Sequence, residues 1–124
     1  MKEIANKLVE ILKQQAELFL LDAGQFFPFG TYINMQNEII PVGAYFENDQ
    51  TSSAEVIELL EKALNDHIEK RECQIAAIAI DVTIKENQVS YDAIELRFFE
   101  PEKEACNMYL KYTIKGSTVE FTQA

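Results

Sequence analysis

The chain has no tryptophan, one histidine and only two cysteines in 124 residues. With a single imidazole, His67, and with Cys73 and Cys106 outside any C-x-x-C pair, no zinc-site spacing exists. Two cysteines in a chain of this length do not make a disulfide framework, so both are expected as buried free thiols. Glycine is scarce too, with four residues. None of them opens a helix, and neither G-x-G-x-x-G nor G-x-x-x-x-G-K-[ST] occurs, which removes the usual phosphate-cradling loops. Long apolar runs are missing. The N-terminal stretch MKEIANKLVEILKQQ carries charges throughout, unlike a signal peptide or a membrane span. A cytoplasmic location is the expectation.

Positive charge is also in deficit. Twenty-one acidic residues against eleven basic ones leave a net charge of −10. Such a balance opposes nucleic-acid phosphates and anionic lipid headgroups, so neither nucleic acid nor membrane is expected as a partner. It suits solubility, and it also suits a basic protein partner in trans, as for an immunity protein neutralising a toxin domain.

What remains is enough for one domain over residues 1–124. Ile4, Leu8, Ile11, Leu12, Leu18 and Phe19 recur at helical spacing and predict a helix over residues 2–22. Its end, LFLL, is apolar all round and reads as buried on several sides. Gly24 suits the left-handed cap. Pro28 delays the first strand to residues 29–35, and a turn at 36–38 leads to a second strand over 39–46. Pro41 marks that strand as an edge. Ser52 followed by Glu55 forms the capping-box pattern S-x-x-E and starts a second helix, running to about residue 72. Three long strands follow, QIAAIAIDVTIK, VSYDAIELRFF and ACNMYLKYTIK, with a short last strand over 118–122.

The expected class is therefore α+β, in the order α-β-β-α-β-β-β-β, with a mostly antiparallel sheet and both helices packed on one face. The order resembles that of roadblock-like and profilin-like domains, in which a hairpin and a three-stranded meander share one sheet. The resemblance covers element order alone. Neither family's sequence motifs are present, and the chain ends in a strand where those folds often place a helix. A fold analogy of this kind implies no function.

Alternation splits each strand into two faces. The expected core side holds Ile78, Ile80, Val82 and Ile84; Ile94, Leu96 and Phe98; Met108, Leu110 and Ile114. Phe29, Ile33, Met35, Ile40, Val42 and Phe46 fit with them. The opposite side carries Tyr32, Tyr45, Tyr91, Arg97, Phe99, Tyr109 and Lys111, with Asp81 and Glu95. Tyrosine and arginine are enriched at interface hot spots, so these seven are the candidate partner-binding residues, with a homodimer the expected assembly. The bland alternative is a solvated face laced with cross-strand ion pairs.

The stretch FFPFG supplies a second candidate. Phe26 and Phe27 are expected to seal the helix–sheet junction, and Phe26, Phe27 and Gly30 could instead form the lip of a site for a small apolar ligand. No catalytic constellation is legible. His67 lies beside Asp66, and Cys73 is six residues further on, a spacing that does not share a helix face. The acidic run Glu100, Glu102, Glu104 lacks EF-hand spacing and contains Lys103. The expectation is a non-catalytic interaction module without metal or cofactor.

Overall fold

The computed structural model describes residues 3–42 and 52–123. α1 spans Glu3–Ala23 and buries Ala5, Leu8, Val9, Leu12, Ala16 and Leu20, one stripe at three- and four-residue spacing. Gly24 ends it at φ 76°, and its amide donates to Leu20 O at 2.8 Å. This conformation costs glycine little and explains the stop. The LFLL end is not enclosed as expected. Leu20 is buried, whereas Leu18 is 71% and Phe19 47% exposed. The helix rests on the sheet by one stripe only, so its other sides face outward.

β1 (Phe29–Asn34) and β2 (Ile39–Val42) form the hairpin. The expected continuation of β2 through Phe46 lies outside the described residues. α2 (Ser53–Glu69) starts at Ser52, whose hydroxyl accepts from Glu55 N at 3.2 Å. That bond satisfies one amide the helix itself cannot. β3 (Cys73–Glu86), β4 (Val89–Phe99), β5 (Cys106–Lys115) and β6 (Thr118–Gln123) complete the order α-β-β-α-β-β-β-β. Asn87 and Gln88 both take positive φ in the two-residue turn between β3 and β4, the geometry that matches strand twist in tight hairpins.

Among the described residues the strands form one antiparallel sheet in the order β2-β1-β3-β4-β5-β6. The hairpin joins the sheet beside β3. Asn34 pairs with Cys73 and Ile33 with Ile75, so Gln74 is a bulged extra residue. Its side-chain amide donates to Asn34 O and Asn37 Oδ1 at 2.9 and 2.7 Å, which fastens the hairpin turn to β3.

The helices do not share a face. Ile75, Ala77 and Ala79 of β3 cluster with α1, together with Ile33, Ile94, Leu96, Phe98, Leu110, Tyr112 and Val119. Ala76, Ile78 and Ile80 cluster with Val56, Leu60 and Leu64 of α2, together with Phe99. Successive β3 residues point to opposite faces, so α1 and α2 cover opposite sides of the sheet. β3 is consequently buried on both faces from Ile75 to Ile80.

The register corrects the expected core side as well. Ile78 lies opposite Arg97, Ile80 opposite Glu95 and Val82 opposite Ala93. Cross-strand partners share a face, so these aliphatic residues belong with the α2 side and not with Ile94, Leu96 and Phe98. Ile40 and Val42 lie opposite Tyr32 and Gly30, and so move to the α2 side too. Met35 and Ile114, expected in the core, are exposed. The mis-sorting has a simple cause: in the middle of β3 Ile78 and Ile80 face α2 while Ala77 and Ala79 face α1, and both sides are filled.

Candidate functional sites

Of the seven residues expected on an open tyrosine-rich face, the structure keeps three together in the open. Tyr32 is covered by α2, with its ring 4.7 Å from that of His67. Phe99 is buried in the α2 cluster. Arg97 donates from Nη1 to Glu61 Oε1 of α2 at 2.6 Å and from Nε to Glu95. The Glu95 hydrogen bond raises its pKa above the ordinary arginine value; burial opposes the rise and Glu61 adds to it. Arg97 is thus committed to holding α2 on the sheet. Tyr45 lies outside the described residues. Tyr91, Tyr109 and Lys111 remain, on the part of this face that α2 leaves bare.

Tyr91 and Lys111 flank a fork in the sheet, and Tyr109 lies two residues before Lys111, inside the ladder opposite Glu95. Pairing between β4 and β5 runs from Phe98–Cys106 to Ala93–Lys111 and stops there. Beyond it, Val89 to Asp92 pair only with β3, and Tyr112 to Lys115 only with β6. An open cleft of about 610 Å³ lies at the fork, with Tyr91, Lys111, Thr113 and Ile114 in its walls. Lys111 spans it: Nζ is 3.1 Å from Glu86 Oε2 and 4.1 Å from the Tyr91 ring centroid. The facing strand edges carry backbone donors and acceptors that no β4–β5 ladder uses.

The FFPFG stretch builds a second cleft. Phe19, Phe26 and Phe29 form an aromatic cluster with centroids 5.3–6.5 Å apart. Phe26 seals the helix–sheet junction as expected, on the α1 side, whereas Phe27 does not: it is 70% exposed. Gly30 is no lip either. It is buried beneath α2, where a Cβ would meet Leu64 Cδ1 at 3.3 Å, so its role is close helix–strand approach.

Asp81 anchors this corner. It was expected in the charged network of the open face. It lies instead on the α1 side, where Oδ1 accepts from Tyr112 Oη at 2.7 Å and Oδ2 from Phe26 N at 3.3 Å. Tyr112 is the residue that reading the sequence missed. Burial, and then the bond to Asp81, raise its pKa well above the ordinary tyrosine value. The signal was available, because Tyr112 shares the parity of Met108 and Leu110.

Cys73 is buried as expected, and burial followed by the charge of Glu72 pushes its thiol up to about 11. Such a thiol is a poor source of thiolate at neutral pH. Cys106 is exposed, not buried. His67 Nδ1 is 3.6 Å from Glu72 Oε2 and makes no hydrogen bond among the described residues. Glu102 of the acidic loop pairs with Arg71 at 2.6 Å. Among the described residues no group of three or more His, Cys, Asp or Glu side chains is arranged to hold a metal ion, and no helix is long and apolar enough to cross a membrane.

Compared with known proteins, the chain matches no family model, no curated protein and no solved structure.

Proposed function

We propose that this chain is a non-catalytic protein-interaction module that pairs with a second copy of itself at the forked end of β4 and β5. The observation that carries the reading is that Tyr91 stands on a strand edge left without a β4–β5 partner, with Lys111 at the last rung before the fork and Tyr109 one step back along the same face. Exposed aromatic rings beside free backbone donors and acceptors suit strand-to-strand association, in which main-chain bonds supply affinity and side chains supply register. Light scattering on a sizing column across a concentration series tests it. A dimer that Tyr91→Ala together with Tyr109→Ala converts to monomer supports the reading. A monomer at every concentration, or a dimer indifferent to both changes, removes it.

A second reading is an immunity-type inhibitor of a basic effector. The outer side of α2 supports it, with Glu55, Glu58, Asp66 and Glu69 exposed against one lysine within the helix, Lys62. Its test is inhibition of a panel of cationic toxin domains. Stoichiometric inhibition that weakens steeply with salt favours it, and no inhibition at all counts against it.

A further inference from the structure

Asp81 is a half-buried carboxylate with no cation paired to it among the described residues. Its two hydrogen bonds come from neutral donors, Tyr112 Oη and Phe26 N. No Lys, Arg or His nitrogen of the described residues makes an ion pair with it. A carboxylate offers roughly four acceptor positions, so about two remain unused by the described residues.

Those positions adjoin an open cleft of about 340 Å³ lined by Ala23, Gln25, Phe26, Phe27, Ser53 and Asp81. Two phenylalanines and the carboxylate therefore line one and the same cleft. Ala23 ends α1 and Ser53 begins α2. Their helix dipoles carry opposite partial charges at this point and oppose one another. The carboxylate is left as the deciding charge. Phe27 is an apolar ring held largely in solvent at the mouth, with no packing role that accounts for it.

We propose that this cleft binds an organic cation, an alkylammonium or a guanidinium, with Asp81 as counter-ion and Phe26 and Phe27 as its aromatic wall. A cation gains here what neutral ligands lack: a charge-assisted hydrogen bond to Asp81 and attraction to the negative ring faces. The net charge of −10 draws such a group in at long range. The site goes beyond the self-association reading and does not depend on it, because the two clefts are lined by different residues and meet only in the hydrogen bond from Tyr112, at the fork, to Asp81.

The same chemistry has two sources, a free amine or the side chain of a basic protein, and one titration separates them. Amide resonances of the whole chain are followed while n-butylammonium chloride, n-butanol, sodium chloride or the peptide acetyl-Gly-Lys-Gly-amide is added. The expected result is saturable shifts at Phe26, Phe27, Ser53 and Asp81 with butylammonium, and none with butanol or sodium chloride. Binding by the peptide at least as tight as by butylammonium assigns a protein side chain; weaker or absent peptide binding assigns a free amine. Asp81→Asn is expected to weaken binding by about tenfold or more. Phe27→Ala, whose side chain the fold does not need, is expected to weaken it by about two- to fivefold. Equal shifts with butanol, shifts reproduced by sodium chloride, or a binding midpoint unchanged in Phe27→Ala would overturn the proposal.

Discussion

Glu61 on α2 accepts a 2.6 Å hydrogen bond from Arg97 on β4, across the sheet face opposite α1. This contact converts residues expected as an open interface into the means by which the second helix is held. Glu95, mostly buried on the same face, completes the cluster. Arg97→Ala strands a buried carboxylate without its donor. It is expected to lower unfolding stability by about 1–3 kcal/mol in urea titrations. Glu61→Gln, at a more exposed position, is expected to cost less. Equal stability of Arg97→Ala and the parent chain would show that α2 does not depend on this cluster.

Gly30 lets α2 approach β1. A valine there forces its side chain into Leu64 and Leu60. Gly30→Val is expected to cost about 1–3 kcal/mol through overpacking. Leu64→Ala in the same chain should recover part of that loss, a favourable coupling visible in a double-mutant cycle. Strict additivity of the two changes would contradict the close approach.

Phe26 and Phe27 are neighbours with opposite roles. Phe26 rests on Phe19 and Phe29 and its amide meets Asp81, whereas Phe27 is largely in solvent. Phe26→Ala is expected to destabilise the fold by about 2–4 kcal/mol. Phe27→Ala should stay within about 0.5 kcal/mol of the parent. Thermal unfolding of the two variants side by side distinguishes them.

The two thiols should react at very different rates. Cys106 is exposed and Cys73 is buried with its thiol pushed up to about 11. A thiol reagent at neutral pH is expected to label one cysteine per chain quickly, and Cys106→Ser should abolish that phase. The second should appear only in denaturant. Rapid labelling of both in the native chain would mean that β3 opens readily.

Alkaline pH should destabilise the fold. Cys73 keeps its proton in the folded chain up to about 11, against an ordinary value of 9.0, and Tyr112 is raised in the same direction. The unfolded chain loses these protons first, so it is favoured as pH climbs. The Cys73 contribution is complete below pH 9 and is lost as pH rises from about 9 through 11, whereas that of Tyr112 is complete below its ordinary value of 10.0 and begins to fall only above it. Urea midpoints measured from pH 8 to 11 should fall, and Cys73→Ala together with Tyr112→Phe should flatten the decline.

Element order, both helices and the antiparallel character of the sheet were legible in the chain because they rest on local signals. Helical spacing marked α1 and α2, Ser52 with Glu55 marked the start of α2, and polar turns separated the long strands. Boundaries followed to within a few residues where glycine or asparagine turned the backbone. The sites were less legible. Tyr91, Tyr109 and Lys111 were correctly placed on one face, but Arg97, Phe99 and Tyr32 share that face and are covered.

The sequence by itself determined the succession of elements and the parity of side chains within each strand, since both follow from backbone periodicity. Parity says which residues share a face of one strand. It does not say which faces of neighbouring strands coincide, and it does not say what covers them. Those matters depend on register and on the side to which each helix returns. Tertiary structure decided both. Pairing Ile78 with Arg97 set the faces, and placing α2 opposite α1 buried one half of an amphipathic face while leaving the fork and the Asp81 cleft open.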